Sequence, residues 1–178
     1  MSNTKQIEEN GLKALRRHLI ERLGVSESDI EDTRNKGNTA GKLGCDLVLQ
    51  YESGKYYIEL KAFSSPELPT NIRFTHQTIA SFHEKELLGQ LVVALVYNLA
   101  SGVERAEVRF FRFGDVPADK ILVEPHFIIQ REQLCPRKQQ SPGLLHTNVN
   151  DVLNESGGSQ DLSALFNTPV KQHMRWQK

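Results

Sequence analysis

Residues 44–49, GCDLVL, and residues 57–61, YIELK, carry the pattern that decides the fold of this 178-residue chain. In the second stretch, apolar Ile58 and Leu60 alternate with charged Glu59 and Lys61, which is typical of a strand with one face against a core. We therefore predict strands over residues 46–52 and 55–61, joined by a two-residue turn, SG, at residues 53–54.

The turn sets which side chains face one another across this predicted hairpin. Centred on residues 53–54, it places Val48 opposite Glu59 and Asp46 opposite Lys61. Because alternate residues of a strand share a face, Asp46, Glu59 and Lys61 then lie on the same face. Directly opposed side chains have Cβ atoms about 5 Å apart. Two carboxylates and an ammonium group are therefore predicted to lie together.

This arrangement suits a divalent metal ion. Two carboxylates this close repel each other unless a cation or a proton lies between them. Their hard oxygen atoms favour Mg²⁺ or Mn²⁺, and the Leu60 carbonyl would add a neutral oxygen ligand. A metal held by Asp46 and Glu59 can activate water and polarise a phosphate, while Lys61 can stabilise the charge that develops. The residues therefore predict hydrolysis of a phosphodiester bond.

A helix predicted over about residues 5–23 supplies a further carboxylate. Leucines at steps of three and four residues mark its buried stripe, and Gly24 is suited to end it. Glu8 falls near the middle of this stripe, whereas Glu9 lies roughly 75° away around the helix axis. A carboxylate on a core-facing stripe is rare unless something binds it. Glu8 is therefore the predicted additional catalytic carboxylate and outer metal ligand.

Further strands and one more helix are predicted in the first 135 residues. The run LVVALVYN at residues 91–98 is almost wholly apolar, which is typical of a strand covered on both faces. Thr75 is suited to begin a helix that ends near residue 88. Shorter strands are predicted at residues 29–33, 107–113 and 121–130. The expected class is α/β, with a central mixed β-sheet flanked by helices.

The composition changes after residue 135, where Gly, Pro, Ser and Gln become frequent. Such segments are typical of loops, and short helices are predicted near residues 148–153 and 160–166. We predict one domain over residues 1–135 and a peripheral, loop-rich extension over residues 136–178 that packs on the core or on a partner.

Asp46 followed by Glu59-Leu60-Lys61, with Glu8 on a preceding helix, resembles the PD-(D/E)XK, or restriction endonuclease-like, nuclease superfamily. The motif is most similar to Mrr-type restriction endonuclease domains and to NO VEIN-type domains. In the latter a strand and a Thr-initiated helix follow the Lys, and residues 73–80, RFTHQTIA, look similar. The resemblance spans roughly residues 5–113 and implies an αβββαβ core with Mg²⁺-dependent endonuclease activity on DNA, in restriction or defence.

Basic and polar residues near the motif are predicted to contact nucleic acid. The loop over residues 34–42 is basic and leads directly into Asp46. By resemblance, the beginning of the second helix also faces the site. The predicted contacts are Arg34, Lys36, Lys42, Arg73, His76 and Gln77.

Overall composition limits the class of protein without selecting a partner. Lys plus Arg and Asp plus Glu each number 22, so the formal net charge is zero, unlike the basic excess of most DNA-binding domains. Two cysteines argue against a disulfide framework, and no Cys or His pair has the spacing of zinc ligands. Polar N-terminal residues and short apolar runs predict a cytoplasmic protein outside the membrane.

Several functions stay open on the sequence alone. The endonuclease on DNA leads because Asp46, Glu59 and Lys61 are all present. The alternative is a nuclease fold without cleavage activity that binds nucleic acid or acts as a scaffold, which zero net charge favours. A nuclease on RNA or branched DNA fits the motif equally, and a homodimer is left open. Glu-X-Lys also occurs by chance on ordinary sheet edges, so the hairpin geometry is the decisive test.

Overall fold

The computed structural model describes residues 3–34, 43–116, 121–124, 144–148 and 165, with only the backbone for residues 76–77, 121–124 and 144–148. Two α-helices and eight strands lie wholly within these ranges. They are α1 (Asn3–Leu23), β1 (Ile30–Asp32), β2 (Leu47–Tyr51), β3 (Gly54–Ala62), β4 (Asn71–Thr75), α2 (His76–Glu84), β5 (Leu91–Tyr97), β6 (Glu107–Arg112), β7 (Ile121–Glu124) and β8 (Leu144–Asn148). No helix in the described part of the chain is long and apolar enough to cross a membrane.

Five strands form a mixed sheet in the order β1-β2-β3-β5-β6. The central strand, β3, is antiparallel to β2 and parallel to β5. Every residue of β5 is buried, as predicted for a strand covered on both faces. The remaining strands form a second, antiparallel sheet in the order β4-β8-β7. The predicted α/β class with a mixed sheet is confirmed.

Helix α1 covers one face of the five-stranded sheet. Its leucine stripe is buried against apolar side chains of β2, β3 and β5, as the spacing predicts. Gly24 ends the helix with φ of 68°, and its N–H donates to the Ile20 carbonyl at 3.0 Å. Gly11 allows a close approach to β3, since a Cβ there would lie 2.6 Å from the Ala62 Cβ. The N-terminal end of α1 is thereby held beside the second half of β3.

The opposite face of the sheet packs against α2 and β4. Ile79 and Phe82 of α2 and Phe74 of β4 join one apolar cluster with the inner residues of β3 and β5. Thr75 begins α2 as predicted, and its side chain accepts a hydrogen bond from the Thr78 N–H at 3.4 Å. The helix ends at Glu84, before the predicted residue 88.

The predicted register of the hairpin is wrong by two residues. Tyr51 pairs with Gly54 and Leu47 with Ile58, so the turn is formed by residues 52–53 and not by residues 53–54. Glu52 adopts a positive φ of 52°, which lets the chain reverse one residue earlier. A shift of two residues leaves every side chain on its predicted face. Burial therefore does not distinguish the two registers, and the conformation of the turn does.

Two parts of the extension after residue 135 lie within the described residues, namely residues 144–148 and residue 165. Strand β8 lies between β4 and β7 and is the central strand of the second sheet. Leu165 is buried among the residues that pack beneath α1. Short apolar runs in a Gly- and Pro-rich segment thus form tertiary contacts that composition does not reveal. The predicted boundary at residues 135–136 and the predicted helix at 148–153 lie outside the described residues, apart from residue 148, which ends β8.

Candidate active site

The candidate site lies where β3 continues beyond the end of β2. Leu47 is the first paired residue of β2, and it faces Ile58, whereas β3 runs on to Ala62. The Asp46 N–H donates to the Ile58 carbonyl at 3.0 Å, and Asp46 Oδ2 accepts the Leu60 N–H at 2.7 Å. The Asp46 carboxylate thus occupies the place of the missing strand partner and is fixed beside β3.

The charge on Asp46 is unfavourable in this position. Burial, and then the nearby Glu59 carboxylate, raise the pKa of Asp46 to about 6. The Leu60 N–H and the cations of Lys61 and Arg34 oppose this rise. The pKa of Asp46 responds to Glu59 and Lys61 because all three charges are close together. The three predicted charges therefore lie within electrostatic reach of one another.

Lys61 and Glu59 form an ion pair on the face of β3 that is opposite α1. Lys61 Nζ lies 2.7 Å from Glu59 Oε1, and both side chains are largely withdrawn from solvent. Lys61 Nζ also lies 5.2 Å from the centroid of the Phe74 ring. The prediction that Lys61 lies opposite Asp46 is wrong, because the observed register pairs β2 with an earlier part of β3.

A cavity of about 310 Å³ opens beside Asp46 at the edge of β3. Glu8, Arg34, Asp46 and Leu60 contribute to its lining. The N–H and C=O of one residue in a strand point to the same side. Since the Leu60 N–H points to Asp46, the Leu60 carbonyl also faces this side of β3. Oxygen atoms of the Glu8 and Asp46 carboxylates and of the Leu60 carbonyl therefore border the opening, whereas Glu59 and Lys61 are not among the residues that line it.

Glu8 lines the cavity, but it is not buried as its predicted place on the core-facing stripe requires. Glu8 is exposed to solvent, whereas Glu9 is half-buried. Glu8 lies one turn before Gly11, where a Cβ on α1 would meet Ala62 of β3 at 2.6 Å. Its location therefore depends on the packing of α1, and its exposure leaves it able to reach a ligand in the cavity.

Arg34 also lines the cavity, and Asp32 holds it there. Its Nε and Nη2 donate to the two Asp32 carboxylate oxygens at 3.1 and 2.8 Å. This pairing raises the pKa of Arg34 and lowers the pKa of Asp32. The Asp46 and Glu8 carboxylates also raise the pKa of Arg34. Arg34 is therefore a fixed cation close to the acidic side chains.

Among the described residues, the structure places none of the other predicted nucleic-acid contacts at this site. Lys36 and Lys42 lie outside the described ranges, as do the side chains of His76 and Gln77. Arg73 is exposed and alternates along β4 with Phe74, the residue whose ring contacts Lys61. Arg73 therefore points away from Lys61.

Two neighbours of the site were not predicted as functional. Buried Thr33 donates its hydroxyl to the Cys45 carbonyl at 2.7 Å, and its N–H donates to the Asp46 carbonyl at 2.9 Å. Thr33 thus fixes the backbone on both sides of the Cys45–Asp46 peptide bond. Phe74 forms the aromatic wall next to Lys61. The alternation of Ile72 and Phe74 with exposed residues is a strand signal that would have located this residue.

The donor atoms are compatible with Mg²⁺ but do not form a closed metal cage. In the described part of the chain, no group of three or more His, Cys, Asp or Glu residues is arranged to hold a metal ion. Asp46 and Glu59 provide carboxylate oxygens, and Leu60 provides a carbonyl. Mg²⁺ commonly keeps several water ligands and is bound by one or two carboxylates together with phosphate. A two-carboxylate site fits this pattern and does not fit structural zinc.

Comparison with known proteins adds no relative to this picture. No family model, no curated protein and no solved structure matches the chain. The function is accordingly argued from the residues and geometry of the site.

Proposed function

We propose that this protein is an Mg²⁺-dependent endonuclease that hydrolyses phosphodiester bonds, with DNA ahead of RNA as substrate. The observation that carries the proposal is the fixed, partly buried carboxylate of Asp46 beside Glu59, at the point where β3 loses its β2 partner. A divalent cation would offset both the burial and the repulsion from Glu59 that raise the pKa of Asp46. The resemblance to PD-(D/E)XK nucleases, with a restriction endonuclease-like core in a cytoplasmic protein, is part of the same proposal.

Each residue of the site has a separate role in this reaction. Asp46, Glu59 and the Leu60 carbonyl would hold the ion, with Glu8 in an outer position. The ion would supply Lewis-acid polarisation of the phosphate and a lower pKa for the attacking water. Lys61 donates to Glu59 in this structure, and the same ammonium can donate to a phosphate oxygen as negative charge builds there.

Arg34 is the best-supported contact to the nucleic-acid backbone. Asp32 holds its guanidinium at the cavity, which lowers the entropy lost when the side chain binds a phosphate. The basic loop that follows, with Lys36 and Lys42, would extend this contact along the strand. A site with four nearby acidic residues requires such cations before a polyanion can approach.

The test is cleavage of supercoiled plasmid, single-stranded DNA and RNA in the presence of Mg²⁺, Mn²⁺ or EDTA. Wild type is expected to cut DNA with Mg²⁺ or Mn²⁺ and to be inactive in EDTA. Asp46→Asn should be inactive and should lose Mn²⁺ binding by calorimetry. Glu52→Gln, which neutralises a carboxylate at the turn end of the same hairpin, is the matched control and should behave as wild type. Cleavage by Asp46→Asn at the wild-type rate would refute the proposal.

A nuclease fold that binds nucleic acid without cutting it is the second candidate. The ion pair between Lys61 and Glu59 favours it, because a carboxylate engaged by an ammonium is less available to a metal. This candidate predicts equal nucleic-acid affinity in Mg²⁺ and in EDTA, with no cleavage under any metal.

A further inference from the structure

The ammonium of Lys61 has neighbours on two sides that belong to different sheets. Glu59, on the same strand, accepts its hydrogen bond at 2.7 Å. Phe74, on β4 of the second sheet, presents its ring with the centroid 5.2 Å from Nζ. A cation this close to an aromatic ring is attracted by the ring's quadrupole. One neighbour is therefore local in sequence, and the other is supplied by tertiary structure.

The ring of Phe74 is itself held in place. Its side chain is 3% exposed. Phe113 packs edge-on against it, with ring centroids 5.2 Å apart and planes at 82°. Along β4, Phe74 pairs with Leu145 of β8, so the segment after residue 143 supports its backbone. The ring is thus a rigid surface, whereas the Lys61 side chain has a long flexible stem.

We propose that Phe74 is a positioning residue for Lys61, and that the second sheet thereby sets where the ammonium lies. Glu59 alone fixes only the distance of Lys61 from one oxygen atom. The ring restricts the remaining rotamers of the lysine side chain before any ligand binds. When the Glu59 carboxylate engages a cation, the ring keeps the ammonium at the site. The effect of Phe74 on cleavage rests on the proposed nuclease function, whereas its effect on the position of Lys61 does not.

Lys55 provides an internal contrast on the same face of the same strand. Its Nζ lies 5.6 Å from the centroid of the Tyr57 ring, two residues further along β3. That contact is local, and Lys55 is exposed to solvent. Of these two lysines, only Lys61 has both an aromatic ring from another sheet and a hydrogen-bonded carboxylate beside its ammonium group. Comparing Lys61 with Lys55 therefore contrasts an ammonium group held by two neighbours with one that is exposed on the surface.

Nuclear magnetic resonance tests the position of Lys61 without requiring activity. The ε-methylene protons of Lys61, assigned by their loss in Lys61→Arg, should be shifted upfield by the ring current of Phe74. Phe74→Leu should abolish this shift and Phe74→Tyr should retain it. Phe82→Leu is the matched control, because Phe82 is buried in the same apolar cluster. A wild-type signal without an upfield shift, or one that Phe74→Leu leaves unchanged, would overturn the proposal even if another variant misfolds.

Cleavage kinetics test the consequence. Phe74→Leu should lower kcat about tenfold, a size typical of the loss of one partly buried cation–π contact. KM and Mn²⁺ affinity should stay at the wild-type level, Phe74→Tyr should restore kcat, and Phe82→Leu should leave it unchanged. Equal losses of kcat in Phe74→Leu and Phe82→Leu would show a general packing effect and refute a positioning role. If wild type cuts no nucleic acid, the proposed function fails, while the resonance experiment still decides the role of Phe74.

Discussion

The two halves of β3 differ in what lies beside them. Residues 54–58 pair with β2, whereas residues 57–62 pair with β5 and extend past the end of β2. The first half forms an ordinary hairpin with an exposed lysine, Lys55. In the second half, an acidic side chain replaces the strand partner and an ion pair is withdrawn from solvent.

The difference shows how one end of a strand can serve only to hold the sheet together while its other end contributes to a functional site. Where two strands pair, their backbone N–H and C=O groups form hydrogen bonds with each other, and the side chains contribute only packing. Where the partner ends, backbone groups must bind something else, and Asp46 is the side chain that does so for Leu60. An uncovered strand end therefore draws polar side chains together, and the same groups can then bind a ligand.

The largest expected effect is a loss of cleavage rate when Lys61 is replaced, compared with no loss when Lys55 is replaced. Lys61→Ala should lower the cleavage rate by about 10²–10³, or roughly 3–4 kcal/mol, because a group that stabilises the transition state is lost. Mn²⁺ affinity should hold or rise slightly, since a cation near the carboxylates is gone. Lys55→Ala should cleave at the wild-type rate. Full activity in Lys61→Ala, measured by single-turnover cleavage, would contradict a catalytic role.

Asp46→Asn should abolish the proposed activity and yet make the protein more stable. In the folded protein the pKa of Asp46, about 6, lies above the ordinary value for an aspartic acid side chain. Ionisation therefore destabilises the fold, with no penalty below about pH 4 and the full penalty above about pH 6. Without metal, Asp46→Asn should be more stable than wild type at pH 8, by on the order of 2–3 kcal/mol.

Urea denaturation of both proteins at pH 3.5 and pH 8 in EDTA checks this prediction. The two curves should nearly coincide at pH 3.5 and separate at pH 8. Asp32→Asn is the control with the opposite sign, because Arg34 lowers the pKa of Asp32 and its charge is favourable. An Asp46→Asn protein that is less stable than wild type at pH 8 would mean that the Leu60 hydrogen bond outweighs desolvation.

Glu8 and its neighbour on α1 give a smaller effect. Glu8→Gln should weaken Mn²⁺ binding about tenfold, near 1.4 kcal/mol, as expected for a partner outside the direct ligands. Glu9→Gln should leave the affinity unchanged, because Glu9 does not line the described cavity. Calorimetry on both variants decides the matter, and equal effects would show that only the net charge of α1 is relevant.

Gly11→Ala is expected to have the smallest effect on stability. The added Cβ would meet Ala62 at 2.6 Å and push α1 away from the second half of β3. Overpacking costs about 1–3 kcal/mol, and the better helix propensity of Ala returns about 1 kcal/mol. A net loss of about 1 kcal/mol in urea denaturation should be relieved by Ala62→Gly in the same chain. Failure of this second substitution to restore stability would place the strain elsewhere.

Much of the scaffold follows from periodicity in the sequence. The leucine stripe and Gly24 identify α1, and the continuous apolar run identifies β5. The shared face of Glu59 and Lys61 follows from the two-residue period of a strand and survives the error in register. These features are local, because each depends on residues within one element.

The parts that were mispredicted depend on contacts between distant segments. The turn conformation at Glu52 moves the hairpin by two residues, and hydrophobic pattern cannot detect a shift of that size. Strand β8 forms within a segment whose composition indicates loops, because β4 and β7 offer it backbone partners. The sequence thus predicts which polar residues form the site, but it does not predict which of them contact one another.

The sequence by itself determined that Glu59 and Lys61 share one face of β3, because side-chain direction in a strand depends only on position along it. The tertiary structure decided that Asp46 covers the Leu60 N–H, that Lys61 pairs with Glu59, and that Phe74 stands beside Lys61. Those contacts depend on where β2 ends and how the second sheet packs against the first. Both are outcomes of burial and backbone pairing over the whole chain, and no short stretch of sequence encodes them.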